Sequence, residues 1–143
     1  MHKSILIPID INEESSWENV LKVVSTYFTD STKTIHLATV VPREEALGVL
    51  SQFIPKGFEQ KQLDFAKSKL EGLSAQLEIS PDQCKHHVRS GNTYVEVLKL
   101  AETCKADLIV LASHRPELKD YLLGPNAARI LRHSNCSVFV VRN

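Results

Sequence analysis

Leu108-Ile-Val-Leu-Ala112, Ser113-His-Arg-Pro-Glu-Leu-Lys-Asp-Tyr-Leu-Leu123 and Gly124-Pro-Asn126 form the continuous stretch on which the fold turns. The first five residues are apolar and rich in branched side chains, the composition of a strand buried on both faces. A polar loop follows. Gly124 then stands at a helix N-cap position with Pro125 at the first helical position, where a missing N–H costs nothing. In a parallel α/β sheet, ligands bind where such strands end and such helices begin. The unpaired N–H groups of a helix start also favour anions. A phosphorylated small molecule, if the chain holds one, belongs here.

Working outward, the same alternation recurs. Ser4 to Asp10 reads as a short apolar strand ending in a carboxylate, with Pro8 tolerable near its end. Ser15-Ser16-Trp17-Glu18 fits a capping box, and Trp17, Val20, Leu21, Val24 and Phe28 follow at helical spacing. Thr34 to Val41 is the second strand, closed by Pro42. Arg43 to Pro55 has no clean period and reads as an irregular connection. From Gly57 to about Leu77 the pattern predicts a long helix with Phe58, Ala66, Leu70, Leu73 and Leu77 on one stripe, and Gly72 inside it. Ser80-Pro81-Asp82 is turn chemistry.

Cys84, His86 and Val88 alternate with Lys85, His87 and Arg89, which predicts a third strand with one wetter face. Thr93 and Glu96 suggest a second capping box, opening a helix to about Cys104. After the Leu108–Ala112 strand come a helix from Pro125 to His133 and a last strand from Ser137 to Val141. Five strands alternating with four helices specify a doubly wound α/β domain, a parallel sheet with helices on both faces.

Bulk properties narrow the function classes. With 143 residues, 17 Lys plus Arg and 17 Asp plus Glu, the chain carries no net field that would draw it to nucleic acid or an anionic membrane face. No apolar run approaches membrane-spanning length, and Met1-His2-Lys3 leads straight into a strand pattern. Cys84, Cys104 and Cys136 are odd in number and far apart, as expected of reduced thiols in a cytoplasmic protein.

With these elements in place, the chain resembles the universal stress protein family over nearly its whole length. The residues that carry the resemblance are Ile5-Leu-Ile-Pro-Ile-Asp10, Ala106-Asp-Leu-Ile-Val-Leu-Ala-Ser-His114, Leu122-Leu-Gly-Pro-Asn-Ala-Ala127 and Arg132-His-Ser-Asn-Cys-Ser-Val-Phe-Val-Val141. The run Ala112 to Pro116 looks most like the bacterial F- and G-type members. The resemblance implies one domain over residues 1–143, a five-stranded sheet of the adenine nucleotide alpha hydrolase-like type, homodimers paired through the last strand, and ATP or AMP in a cleft. Mg2+ would accompany only a triphosphate.

The family's nucleotide motif is Gly, two residues, Gly, nine residues, Gly, then Ser or Thr. Here Ala112 and Arg115 replace the first two glycines, the span from Arg115 to Gly124 is one residue shorter, and Pro125 replaces the hydroxyl residue. Pro125 removes one hydroxyl and one N–H from the phosphate end, while N–H groups at Asn126 and Ala127 are retained. Arg115 before Pro116 is biased to extended backbone, and its guanidinium can clamp phosphate. The departures bear on the phosphates more than on the adenine pocket.

The candidate binding set therefore comprises Pro8, Asp10 and Ile11 after the first strand, Val40 and Val41 after the second, and Gly91 after the third. Leu111, Ala112, Ser113, His114 and Arg115 follow from the fourth strand, and Gly124, Pro125 and Asn126 from the helix start. Asp10 can accept from an adenine amino group or a ribose hydroxyl; the valines can wall the base. The bland alternatives are a loop cap for Asp10, core for the valines, solvated loop for Ser113 to Arg115, and plain turn or cap glycines for Gly91 and Gly124.

No catalytic set and no metal site is expected. There is no Gly-x-Ser-x-Gly elbow and no Walker-type phosphate loop. His86-His87 with Cys84, and His133 with Cys136, lack zinc-site spacing. Ser90-Gly91 after the third strand excludes the acceptor aspartate of a response-regulator receiver. Three functions remain open. The first is a dimeric, stress-associated nucleotide binder paired through Val138, Phe139 and Val140. The second is a nucleotide-free dimeric interaction module that lost its ligand through Ala112, Arg115 and Pro125. The third is a weak phosphohydrolase using Asp10 and His114.

Overall fold

Each strand pairing is parallel, and the strands lie in the order Cys84–Ser90 (β3), Thr34–Val41 (β2), Ser4–Pro8 (β1), Leu108–Ala112 (β4) and Ser137–Val141 (β5). The computed structural model describes residues 2–113 and 123–142. In chain order these give β1 (Ser4–Pro8), α1 (Glu18–Tyr27), β2 (Thr34–Val41), α2 (Phe58–Ser74), β3 (Cys84–Ser90), α3 (Thr93–Thr103), β4 (Leu108–Ala112), α4 (Pro125–His133) and β5 (Ser137–Val141). This is the doubly wound α/β architecture that the alternation predicts.

Strand periodicity sorts the core into two layers. Ile5, Ile7, Ile35, Leu37, Leu108 and Val110 face Val20, Leu21 and Val24 of α1 and Leu70 and Leu73 of α2. The intervening Leu6, Ala38, Ile109 and Leu111 face Val97 and Leu100 of α3 and Ala127 and Ile130 of α4. β1 is central and sealed on both sides, so Ile5, Leu6 and Ile7 are all fully buried. Pro8 sits at its last position, and the ladder continues past it through Ile9 N–H donating to the Ala38 carbonyl at 2.7 Å.

Several local expectations are corrected. The Ser15–Glu18 capping box does not form: Glu14–Ser16 is a short 3-10 turn, Trp17 takes the α1 N-cap without a side-chain bond, and the Ser16 hydroxyl turns back to the Asp10 backbone. At α3 the cap is Asn92 rather than Thr93, with its side-chain oxygen accepting from Val95 N–H at 3.4 Å. Phe58 leaves the α2 stripe and is 37% exposed, whereas Ala66, Leu70, Leu73 and Leu77 are buried. The connection read as irregular holds 3-10 turns over Glu44–Phe53, broken at Gly48, whose φ is 61°. β3 has one wetter face, as the alternation predicts: Lys85 is exposed on the side it shares with His87 and Arg89, where His87 stacks on His36 beneath α3, while Cys84 and Val88 pack on the α1/α2 layer.

Gly72 has open space where a Cβ would stand and lies on the exposed side of α2. Gly72→Ala is therefore expected to raise stability by about 0.5–1 kcal/mol, read as a higher urea midpoint at unchanged m-value.

The His36–His87 pair makes stability depend on acid. Burial, then the charge of Lys85, lowers the His36 pKa. Burial, then His36, Arg89, His86 and Lys85, pushes His87 down to about 4. The unfolded chain takes up these protons near the ordinary imidazole value of about 6.5, before the folded chain does. The stability the pair contributes is thus fully present above that value and is lost as pH falls toward 4. Urea midpoints measured from pH 7.5 to 4.5 are expected to decline across this window, and His87→Asn is expected to flatten the decline.

Candidate functional site

The sheet order reverses between β1 and β4, and above that point the carboxyl ends of the strands diverge into a cleft of about 320 Å³. This volume lies at the small end of the range typical for small-molecule sites. The loop after β1 supplies Pro8, Asp10 and Ile11; the end of β2 supplies Val40 and Val41; β4 supplies Leu111, Ala112 and Ser113. Gly124, Pro125 and Asn126 close the cleft from the start of α4.

Chain geometry fixes these groups. The Ser16 hydroxyl accepts from Asp10 N–H at 3.0 Å and donates to the Asp10 carbonyl at 2.9 Å. The Asp10 carboxylate also accepts from Asn12 N–H at 3.0 Å, so it caps its own loop while lining the cleft. Ser113 is buried; its N–H donates to the Val141 carbonyl at 2.9 Å, and its carbonyl accepts from Gly124 N–H at 2.7 Å. That last bond joins the end of β4 to the start of α4. Gly124 is the N-cap, and as glycine it offers no capping side chain to the amides that follow. Asn126 and Ala127 occupy the first turn, whose N–H groups have no acceptor within the helix.

Gly91 falls outside the lining. Its φ of 140° and its N–H, which donates to the Val41 carbonyl at 3.0 Å, turn the chain from β3 into α3. An added Cβ would sit 3.3 Å from Glu96 Cγ. It is a turn glycine beside the cleft. His114 and Arg115 lie outside the described residues.

The lining also includes residues the sequence reading passed over. Ala38 and Thr39 precede the two valines, Thr93 and Val97 form a wall from α3, and Asn12, Glu13, Ser15 and Ser16 come from the β1 loop. Strand ends alone point to one or two residues per strand. The α3 wall needs the crossover geometry, and Ser15 and Ser16 were hidden behind their capping-box pattern. Among the described lining residues, Asp10 and Glu13 are the only ionisable ones. The remaining walls are largely aliphatic, suited to a flat apolar ring, with a polar loop on the β1 side and helix amides on the β4 side.

A parallel sheet with its reversal between β1 and β4, and a cleft at that reversal, defines a Rossmann-like α/β protein. Comparison with known proteins takes this one step further. The chain belongs to the universal stress protein family, whose family model matches residues 1–142. Universal stress protein G of Shigella flexneri is 33% identical over 144 residues, covering 99% of this chain and all of the relative. Universal stress protein MJ0577 of Methanocaldococcus jannaschii is 29% identical over 157 residues, covering 99% of this chain and 96% of that one. A solved structure of MJ0577 superposes with a TM-score of 0.80 at 28% identity, covering 100% of this chain and 97% of the other. A universal stress protein solved in complex with cAMP shares the fold at TM-score 0.66 and 17% identity, covering 99% and 97% of the two chains. Among the described residues, no helix is long and apolar enough to cross a membrane.

Proposed function

We propose that this chain is a cytoplasmic, dimeric stress-response protein that binds an adenine nucleotide, ATP or AMP, at the carboxyl edge of its sheet and regulates rather than catalyses. The observation that carries the reading is the open cleft between the Asp10 loop and the uncapped start of α4. In this reading Val40 and Val41 wall the adenine, Asp10 accepts from its amino group or a ribose hydroxyl, and Asn126 and Ala127 donate to phosphate. Ala112 and Ser113 flank the phosphate side, the sequence candidates His114 and Arg115 lie outside the described residues, and Mg2+ belongs to the site only with a triphosphate. The cAMP complex of a protein with this fold supports the fold's capacity to seat an adenine nucleotide.

Calorimetry with ATP and AMP tests the reading directly. Micromolar affinity corresponds to about 8 kcal/mol of net binding free energy. Folded protein that binds neither nucleotide at millimolar concentration, and releases none into the mass spectrometer on denaturation, refutes it. That outcome would favour the interaction module without nucleotide.

The dimer is argued from the sheet edge. β5 ends the strand order, and its outer backbone groups are a template for a second copy. Val138 and Val140 are half-buried toward α3 and α4, and Phe139 remains 40% exposed on the other side. Lysine at Val138 or Val140 is expected to yield a folded monomer in sedimentation. A dimer that survives both substitutions places the interface elsewhere.

A further inference from the structure

Away from the cleft, three metal-binding side chains meet under the end of α3. His36 of β2 and His87 of β3 point to the α3 side of the sheet, and Cys104 caps the C-terminus of α3 above them. His36 Nδ1 is 2.9 Å from His87 Nε2, and Cys104 Sγ is 3.7 Å from the same His87 nitrogen. The three ligand atoms all lie within 4.8 Å of one another. The imidazoles meet nitrogen to nitrogen, with ring centroids 5.1 Å apart.

These separations approach those of a tetrahedral zinc site. Zn–N bonds of about 2.0–2.1 Å and Zn–S bonds of about 2.3 Å put two nitrogens about 3.3 Å apart and nitrogen and sulfur about 3.5 Å apart. Opening the histidine pair by about 0.4 Å and closing the Cys104–His87 gap by about 0.2 Å brings those two pairs to tetrahedral spacing. The Cys104 sulfur, within 4.8 Å of the His36 nitrogen, must also move toward it to complete the site. The frame around it is firm. His36 is 7% exposed in a central region of the sheet. Cys104 is held by its N–H to the Leu100 carbonyl at 2.8 Å and by its carbonyl accepting from the Ser4 hydroxyl at 3.0 Å. His87 and Cys104 are only partly buried, so solvent is at hand to supply a fourth, water ligand.

We propose that His36, His87 and Cys104 form a zinc-type site of two imidazole nitrogens, one thiolate sulfur and one water, which staples the end of α3 to β2 and β3. On binding, the Cys104 S–H bond breaks, the sulfur keeps the electron pair for the metal, and one proton leaves to solvent. Each imidazole stays neutral, with its single proton on the nitrogen facing away from the ion. No oxidation or reduction takes place. The net charge of such a site is +1, and Lys85 and Arg89 on the same face of β3 weigh against any harder, thiolate-free binding. A second cysteine–histidine contact, Cys84 Sγ to His86 Nε2 at 3.8 Å, lies on the other face and lacks a third ligand among the described residues.

The test is Co2+ titration of the reduced, chelator-stripped full chain. The expected result is one equivalent of tetrahedral Co2+ with a sulfur-to-cobalt charge-transfer band, displaced by Zn2+, and a higher thermal midpoint with Zn2+. Cys104→Ser is expected to abolish the band, and His87→Asn to weaken binding by at least about tenfold. Cys84→Ser and Cys136→Ser are expected to leave both unchanged, with folding checked by circular dichroism. Folded wild-type protein without the band at millimolar Co2+ overturns the proposal, as does a band that survives Cys104→Ser or disappears with Cys84→Ser. The readout also separates this site from adventitious binding at the exposed amines and imidazoles of the surface, which offer no thiolate for a charge-transfer band.

Discussion

Ile7→Ala is expected to destabilise the protein by about 2–5 kcal/mol. Ile7 is fully buried in the central strand and packs in the cluster of Val20, Leu21, Val24, Leu37 and Val110. Both of its neighbouring strands are paired and α1 closes the face above it, so little can collapse into the space left behind. Domains of this size have about 5–15 kcal/mol in total, so the loss is a large share. The urea midpoint should fall steeply at nearly constant m-value. Val49, 80% exposed, supplies the contrast: Val49→Ala is expected to stay within about 0.5 kcal/mol of the parent. Equal effects at the two positions would mean that the central strand is not the mechanical core.

The second large effect concerns the cleft. Gly124→Asp is expected to weaken ATP or AMP binding at the proposed site by at least about tenfold, or about 1.4 kcal/mol, in protein whose folding is checked by circular dichroism. The backbone at Gly124, φ −71° and ψ 167°, is extended and open to any L residue. Aspartate is a favoured N-cap, so its oxygens would accept from the α4 amides and stabilise the helix by a few tenths of a kcal/mol. The same carboxylate would then occupy the anion position and repel phosphate. Gly124→Ala adds bulk without charge and separates the two causes. Calorimetry that finds Gly124→Asp and the parent equal would remove α4 from the proposed phosphate site.

The architecture was legible because each buried strand is a run with its own punctuation. Thr34–Val41, Leu108–Ala112, Pro125–His133 and Ser137–Val141 have the bounds that the pattern predicts. Hydrophobic period and Pro or Gly boundaries are local properties, and a parallel sheet with short connections uses little else. The misses are also local, but their partners are not. Ser16 reads as a helix cap until the folded loop offers it the Asp10 backbone. Asn92 outcompetes Thr93 because the helix begins one residue earlier than the Thr-x-x-Glu spacing suggests.

At the cleft, the strand-end residues were found by rule, since Pro8, Asp10, Val40, Val41, Leu111 and Ala112 occupy equivalent ends. Thr93 and Val97 were not found, because which face of α3 turns toward the cleft depends on how it packs. His36 and His87 stand 51 residues apart and Cys104 a further 17, and no spacing rule joins them. Only the β2–β3 register and the end of α3 bring them together.

The pairing of Ile5 with Leu108 has a consequence for the making of the protein. During synthesis β1 gains β2 early, but its other neighbour leaves the ribosome only after most of the chain has been made. At about 5–20 residues per second that interval is on the order of 5–20 s. Throughout it, one flank of β1, fully buried at Ile5, Leu6 and Ile7 in the finished fold, has open backbone groups and no cover from α4. Nascent chains stalled before Leu108 should therefore be the form that molecular chaperones hold.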